Sequence, residues 1–543
     1  MTAPSGAATA LVERAEGMTV ASALAARATA DPERPFLLHE TGTLGFAAVD
    51  ARAESLAAAL AGFGIEAGDR IALVLPSCPE FAVAVFAAAK LGAQIVPLNP
   101  RLAVADLQYL LRHSESVCAV TIEQYDGLDY LQIFEEIMPQ LPELQYLVTV
   151  GEEDLWYDDR IFQFEDLLSA GSGRDFSASP GQSDPGVCFA LLYTSGTSGK
   201  PKGVELSHAN LLSAAAGTAD AVGLVPDDRL VGISGLFHVY GLAAGLLSSV
   251  LSGASIVLQD DPGAEATLDS VDRWDATVHF GIPSLFVREL DLLRERGASP
   301  GSLRLAVVAG APVPDGLVVA LSERLGVPVV TGYSLTEAAS TVCASVPGDP
   351  VDKRRFTVGR PVTGTLIRIA DPESDGEEDL PVESVGEIRV KGSGVMIGYY
   401  RQPKRTAEAF DSRGYLRTGD LGLVDEEGYL HLVGRTKDVI IRSGFIVYPR
   451  VVESRIETHP AVQEAAAVGV ADELLGEAVC ACVVPVEGAI VNGQEIVDWC
   501  RETLADDLIP DFVRFVDSLP RTATGQVRRV ELARSVKTES RSA

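Results

Sequence analysis

Short apolar runs alternate with alanine-rich amphipathic stretches along the first part of the chain. Arg70-Ile-Ala-Leu-Val-Leu75 and Ala93-Gln-Ile-Val-Pro-Leu98 read as buried strands, with a helix from Glu80 to Leu91 between them. Similar runs at Ala254 to Leu258, Ala276 to Gly281 and Leu303 to Val308 are each bounded by Gly, Pro or Asp. This alternation predicts an α/β fold, a large N-terminal domain of helix-covered sheets. From Gly386 to Leu432 the pattern changes to short alternating strands separated by turns, which predicts a small antiparallel β subdomain. After Lys437 a helix near Val451 to Glu457, strands near Glu464 to Val470 and Ala478 to Pro485, and a helix near Gly493 to Leu504 predict a small α+β C-terminal domain. The expected division is therefore 1–436 and 437–543.

The stretch from Leu230 to Leu258 has no Asp, Glu, Lys or Arg and is long enough to span a bilayer. Gly235, His238, Gly241, Gly245 and Gly253 interrupt it, so a buried helix-plus-strand pair is expected and no membrane span. Residues Met1 to Met18 include Glu13, Arg14 and Glu16 and lack a basic start followed by an apolar run, so no secretory signal is expected.

At 543 residues the chain exceeds one compact core, at roughly 100–200 residues per domain. Hydrophobic residues make up 47% and charged residues 22%, enough apolar surface to exclude global disorder. The 44 Lys and Arg against 76 Asp and Glu give a formal charge of −32, which repels phosphodiester backbones and argues against a nucleic-acid partner. A phosphate site on so acidic a chain must rest on local backbone N–H groups and a few placed cations. Seven scattered cysteines with no Cys-x-x-Cys pair read as reduced thiols and a cytoplasmic location. Cys480 and Cys482 share one strand face and are expected to pack in a core rather than bind metal.

A candidate for such a site lies between the apolar run Val187 to Leu192 and the helical segment after Ser207: Tyr193-Thr-Ser-Gly-Thr-Ser-Gly-Lys-Pro-Lys-Gly203. Its glycines, hydroxyls and lysines suit a loop that wraps phosphate oxygens. It is not a P-loop of the usual kind, because Thr194 and Pro201 stand where that motif needs Gly and Ser or Thr.

With this loop the chain resembles the acyl-adenylate-forming enzymes, in their acyl-CoA synthetase or fatty acid:thiol ligase branch. Further motifs follow in the family's order: Gly310-Ala-Pro312, Thr331-Gly-Tyr-Ser-Leu-Thr-Glu337, Gly386-Glu-Ile to Gly398-Tyr-Tyr400, Tyr415-Leu-Arg-Thr-Gly-Asp420 and Gly434-Arg-Thr-Lys-Asp438. Ser334 stands where the family usually has Gly. The resemblance covers roughly residues 20 to 535.

The resemblance implies that residues 1–436 form the adenylate-forming domain and 437–543 a mobile C-terminal domain. It implies ATP, Mg²⁺ and CoA or a phosphopantetheinyl carrier protein as cofactors. Adenylation joins two anions, so the site must supply positive charge and alignment. By resemblance Thr194, Ser195, Thr197 and Lys202 hold the β- and γ-phosphates, and Gly196, Ser198, Gly199 and Lys200 complete the cofactor-binding loop. Thr336 contacts the α-phosphate and Glu337 ligates Mg²⁺, the reading that makes electrostatic sense of a carboxylate beside a triphosphate. Gly310, Ala311 and Pro312 border the adenine, Tyr333 lies on it, Asp420 accepts from the ribose hydroxyls, and Arg435 reaches ribose or phosphate. Lys437 is the pivot of a hinge, and Gly444 lines a pantetheine channel where lack of a side chain leaves room. Glu453 fits the end of that last motif, and Val451 replaces its first acid.

One departure bears on rate. In Leu519-Pro-Arg-Thr-Ala-Thr-Gly-Gln-Val-Arg-Arg529 the family's catalytic lysine position is Gln526. A neutral amide does not neutralise two converging anions, and losing such a contact costs about 2.7–4 kcal/mol. Slow adenylation, a substitute cation such as Arg528 or Lys200, and an altered form of a lysine enzyme are the three consequences open; slow or compensated adenylation is the preferred one.

Amino-acid-activating relatives place an Asp near the segment here reading Gly235-Leu-Phe-His-Val-Tyr-Gly241, where no acid is present. Phe237, Val239, Leu242, Leu246 and Leu247 suit an apolar pocket, and His238 resembles the aromatic gate beside the acyl carboxylate. The expected substrate is a fatty or similarly apolar carboxylic acid, and the thiol acceptor CoA or acyl carrier protein, which Arg450, Arg521, Arg528 and Arg529 are free to meet. An aryl acid:CoA ligase is the alternative within the class. A nucleotide- or acyl-binding protein with impaired adenylation is the alternative outside it, with Gln526 its support.

Overall fold

The predicted alternation becomes two large sheets with helices packed between and outside them. The computed structural model describes residues 8–153, 158–174, 184–194, 201–233, 235–259, 263–297, 299–314, 316–375, 378–443, 445–472, 474–521 and 527–540. Strands Arg70–Val74 and Gln94–Pro97 pair in parallel, and Pro79–Leu91 is the helix that joins them. Pro79 sits in the first helical turn, where a missing N–H costs nothing. Nearly every residue of this helix is buried, as its all-round apolar composition requires.

Among the described residues these strands belong to an eight-stranded sheet that begins with Gly398–Tyr399, Lys202–Ser207 and Cys188–Thr194 and ends at Ile161–Gln163. A nine-stranded sheet has parallel strands Arg229–Val231, Val278–Gly281, Leu305–Val308 and Val329–Leu335 at its centre. The main apolar core fills the space between the sheets, taking Ile71 and Leu73 from one, Leu37 and Ile256 from the other, and the inner faces of Phe46–Gly62, Pro79–Leu91 and His208–Val222.

The uncharged stretch from Leu230 to Leu258 is a buried strand, a π-helix Tyr240–Leu247 continued by Ser248–Ser252, and a second buried strand Ser255–Val257. No helix among the described residues is long and apolar enough to cross a membrane.

The expected antiparallel subdomain is a four-stranded sheet in the order Thr365–Ala370, Gly386–Gly392, Leu416–Val424, Leu430–Arg435. Beyond it, Val462–Asp472 and Gly476–Pro485 pair along their whole lengths, flanked by the helices Pro449–Glu457 and Gly493–Arg501. Cys480 and Cys482 are fully buried among Ala466, Val468, Leu519 and Leu532 on one face of that hairpin, which makes them core residues.

Candidate active site

The site is assembled from the ends of elements contributed by three sheets. Strand Val329–Leu335 delivers Tyr333, and a single 3₁₀ turn, Thr336–Ala338, follows it. The Tyr333 hydroxyl donates to Asp420 Oδ2 at 2.6 Å, and Arg435 Nε donates to Asp420 Oδ1 at 3.0 Å. Asp420 and Arg435 are cross-strand partners in the antiparallel subdomain, so the pair is set by register. Burial raises the Asp420 carboxyl above the usual carboxylate range, opposed by Arg435, the Tyr333 hydroxyl and Lys437. Burial likewise lifts the Tyr333 hydroxyl well above its ordinary value, with the Asp420 charge adding to the effect.

A second arm is built around Thr194 and Lys202. Thr194 and Lys202 are register partners at the mouth of the hairpin Cys188–Thr194 and Lys202–Ser207. The Lys202 ammonium lies 4.7 Å from the centroid of the Tyr399 ring, and the Tyr399 hydroxyl donates to Glu337 Oε1 at 2.9 Å. The Glu337 main chain is held as well, its carbonyl accepting from Met396 N at 2.9 Å.

Lys437 joins the two arms. Burial lowers its ammonium from the ordinary lysine value, Asp438 and Asp420 oppose that, and Arg435 and Lys202 reinforce it. Thus Thr194, Lys202, Tyr333, Thr336, Glu337, Asp420, Arg435 and Lys437 are brought to one place. The Gly310-Ala-Pro312 turn follows strand Leu305–Val308, the parallel neighbour of the strand carrying Tyr333. Gly310 takes φ +88°, a left-handed conformation that favours glycine. Ser195, Gly196, Thr197, Ser198, Gly199, Lys200, Gly444 and Gln526 lie outside the described residues.

His238 lies in the turn before the π-helix Tyr240–Leu247, its ring 4.7 Å from that of Phe237. Burial lowers its imidazole below the ordinary value, which favours the neutral ring. The π-helix packs on strand Ser340–Ala344, which leaves the Thr336–Glu337 turn, so both segments share one neighbour. Leu242, Leu246 and Leu247 are fully buried in the main core, and packing alone accounts for them; Phe237 is only half-buried.

The free basic residues expected on the C-terminal part are paired instead. Arg529 forms an ion pair with the buried carboxylate of Glu453 and donates to the Ala467 carbonyl. Arg521 pairs with Glu464 at 2.7 Å, Arg528 with Glu531 at 3.5 Å, and Arg450 with Glu457 at 2.9 Å. Arg450 also donates to the Val313 carbonyl beside the Gly310 turn. Glu453, whose Oε1 also accepts from Ala467 N, is thereby a structural residue.

Tyr399 has a place in the site that the sequence reading left without a role, although it stands in the Gly398-Tyr-Tyr400 motif. His113 is another such residue: its Nδ1 lies 2.8 Å from the Tyr193 hydroxyl at the root of the phosphate loop. Nothing local in the sequence around His113 marks that contact, which joins residues 80 positions apart.

A site for one divalent ion is compatible with these residues. Glu337 spends Oε1 on Tyr399, and Oε2 has no partner among the described residues. No group of three or more His, Cys, Asp or Glu able to hold a metal exists among the described residues. One carboxylate fits Mg²⁺ that is held together with substrate phosphates, not a metal in an all-protein cage.

Comparison with known proteins agrees with this geometry. The profile of the AMP-binding enzyme family matches residues 24–400, and that of the AMP-binding enzyme C-terminal domain matches 451–526. The chain belongs to this family of adenylate-forming enzymes, in its acyl-CoA synthetase branch, and is an acid–thiol ligase by class. It is similar to the feruloyl-CoA synthase of an Amycolatopsis species, 34% identical with 94% of this chain and 97% of that one covered. It is also similar to the mitochondrial medium-chain acyl-CoA ligase ACSF2 of Mus musculus, 30% identical over 95% of this chain and 87% of the other. The ATP-bound crystal structure of MatB from Rhodopseudomonas palustris superposes with a TM-score of 0.85 at 30% identity, covering 96% of this chain and 99% of that chain.

Proposed function

We propose that the enzyme activates an apolar carboxylic acid, aliphatic or aryl, as its acyl-adenylate and passes the acyl group to a pantetheine thiol of CoA or acyl carrier protein. The observation that carries this reading is the convergence of Lys202, Glu337, Asp420, Arg435 and Lys437 around Tyr333 and Tyr399. Three cations and two carboxylates in one place match a polyanionic nucleotide with a metal and a diol. In this reading Asp420 accepts from the ribose hydroxyls, Tyr333 lies against adenine beside Gly310, Ala311 and Pro312, and Thr194, Lys202 and Thr336 contact phosphate oxygens. Mg²⁺ on Glu337 would neutralise phosphate charge.

The first step joins a carboxylate oxygen to the α-phosphorus and breaks its bond to the bridging oxygen, releasing pyrophosphate. In the second the thiol sulfur attacks the acyl carbon, AMP leaves with the bonding pair, and the thiol proton goes to solvent. The assigned division is 1–436 and 437–543, with Lys437 at the hinge and Gly444 along the pantetheine path. Lys437 falls in the gap between the two family profiles, from 400 to 451, which supports this division.

The absence of an acid in Gly235 to Gly241 disfavours an amino-acid substrate. The neutral His238 ring beside Phe237 suits the entry of an acyl group. Gln526 makes adenylation the slow half-reaction, because the positive charge it lacks acts only as the two anions converge.

The test is acid-dependent ATP–pyrophosphate exchange across aliphatic and aryl acids, with native enzyme and Gln526→Lys side by side. Exchange by the native enzyme with a particular acid identifies the substrate. A gain on the order of 10² for the lysine variant supports Gln526 as rate-limiting. Nucleotide binding without exchange by either protein would overturn the catalytic reading.

A further inference from the structure

The strand that presents Asp420 is not regular. Against its neighbour Gly386–Gly392, Glu387 pairs with Leu421 and Arg389 with Arg417, so Thr418, Gly419 and Asp420 of one strand are set against Ile388 alone of the other. The segment Thr418 to Asp420 bulges out of this ladder, and Gly419 at its crest takes φ +71°. A bulge removes main-chain groups from sheet pairing and re-aims a side chain, and the released groups need other partners.

Side chains supply those partners. Glu387 Oε1 accepts from Gly419 N at 3.2 Å, Thr418 Oγ1 donates to the Ile388 carbonyl at 2.6 Å, and Asp420 N donates to Thr418 Oγ1 at 3.0 Å. Glu387 is only 5% exposed, and its carboxylate is itself fixed by Arg389 Nε at 3.2 Å and Arg417 Nε at 3.4 Å. Arg389, fully buried, spends its remaining donors on Asp411 Oδ2 and on the Asp371 and Ser374 carbonyls. Asp411 in turn accepts from Arg368 and, through Oδ1, from Tyr415 N at 2.9 Å. The chain is thus gripped at Tyr415, just before the strand, and again at Gly419, the residue before Asp420.

We infer that Glu387 is a positioning residue for nucleotide binding, its carboxylate holding open the Thr418–Asp420 bulge that aims Asp420 into the site. A purely structural ion pair has no need to end on the amide preceding the nucleotide-facing carboxylate. The inference rests on the reading of Asp420 as the ribose ligand. Glu387→Gln keeps size and shape but replaces an oxygen that accepts from Arg389 or Gly419 with a donor.

The experiment measures AMP affinity by calorimetry, and hydrogen exchange of the segment 416–421, in wild type, Glu387→Gln, Asp420→Asn and the double variant. Glu387→Gln is expected to weaken AMP binding about tenfold, the scale on which supporting residues act on the ligands they orient, and to speed exchange of 416–421 selectively. Added to Asp420→Asn it is expected to cost no further affinity, since both act through one carboxylate. Should Glu387→Gln not fold, Thr418→Val removes the companion clamp and is expected to show the same loss and the same non-additivity. Unchanged AMP affinity, or additive losses in the double variant, overturns the inference. AMP binding by a wild type that shows no acid-dependent exchange would sink the proposed reaction and leave this inference standing; a wild type that binds no AMP overturns both.

Discussion

Tyr399 donates its hydroxyl to Glu337 across 2.9 Å while its ring faces the Lys202 ammonium, so one side chain separates the anion and the cation of the site. Burial and the Glu337 charge raise this phenol far above its ordinary value, which keeps it a donor at any working pH. Tyr399→Phe preserves the ring and removes the donor. A hydrogen bond to a charged group is worth roughly 1.5–3 kcal/mol. The expected result is a loss of about tenfold or more in kcat/KM for Mg-ATP, with unfolding free energy lowered by no more than that range, measured by steady-state kinetics over a Mg²⁺ series and by denaturant titration.

Tyr333→Phe tests the other arm. It removes the 2.6 Å hydrogen bond to Asp420 and leaves that buried carboxylate with Arg435 alone. The same reference range predicts about 1.5–3 kcal/mol lower unfolding free energy, read by denaturant titration. AMP affinity is expected to fall less than in Asp420→Asn, because the aromatic face remains.

His208 contributes to the acid side of stability. Its ring is buried, stacked 4.4 Å from Phe189, and its Nδ1 accepts from Val20 N at 3.2 Å, so burial lowers its pKa to about 4. A depressed histidine stabilises fully above its unfolded value near 6.5, and that contribution is lost as pH falls from there toward 4. The loss is on the order of 3 kcal/mol at 1.36 kcal/mol per unit. Urea titrations from pH 7 to pH 4 are expected to show it, and His208→Gln to flatten that part of the curve.

Asp220 acts in the opposite sense. Its Oδ2 is buried without a hydrogen-bond partner among the described residues, and burial raises its pKa to about 7 against a weaker opposing effect of Arg14. Here the folded state holds a proton that the unfolded state releases, so stability is lost as pH rises from about 4 through about 7. Asp220→Asn is therefore expected to raise the melting temperature at pH 8 and to have little effect at pH 4, measured by scanning calorimetry.

Much of this architecture was legible because its cause is local. The spacing of apolar residues around Arg70 to Leu75 and Glu80 to Leu91 already specifies strand and helix, and the structure places them at Arg70–Val74 and Pro79–Leu91. The uncharged run after Leu230 was readable as buried because its glycines break any single span. The order of the family motifs likewise marked the residues that converge on Asp420 and Glu337.

Other features depend on contacts between distant parts of the chain. Arg529 reads as a free surface cation in sequence, yet Glu453, 76 positions earlier, neutralises it in the fold. Leu246 and Leu247 read as pocket residues in the sequence, and packing of the π-helix into the main core, against His208–Val222 among others, buries them. Glu387 reads as one acid in a motif until the strand register leaves Gly419 N without a ladder partner and brings that carboxylate to it. By itself the sequence determined which residues are chemically able to serve, because periodicity and residue type act within a few positions. Which of them are paired, buried or aimed at the site was decided by tertiary structure, because desolvation and charge pairing depend on separation in space.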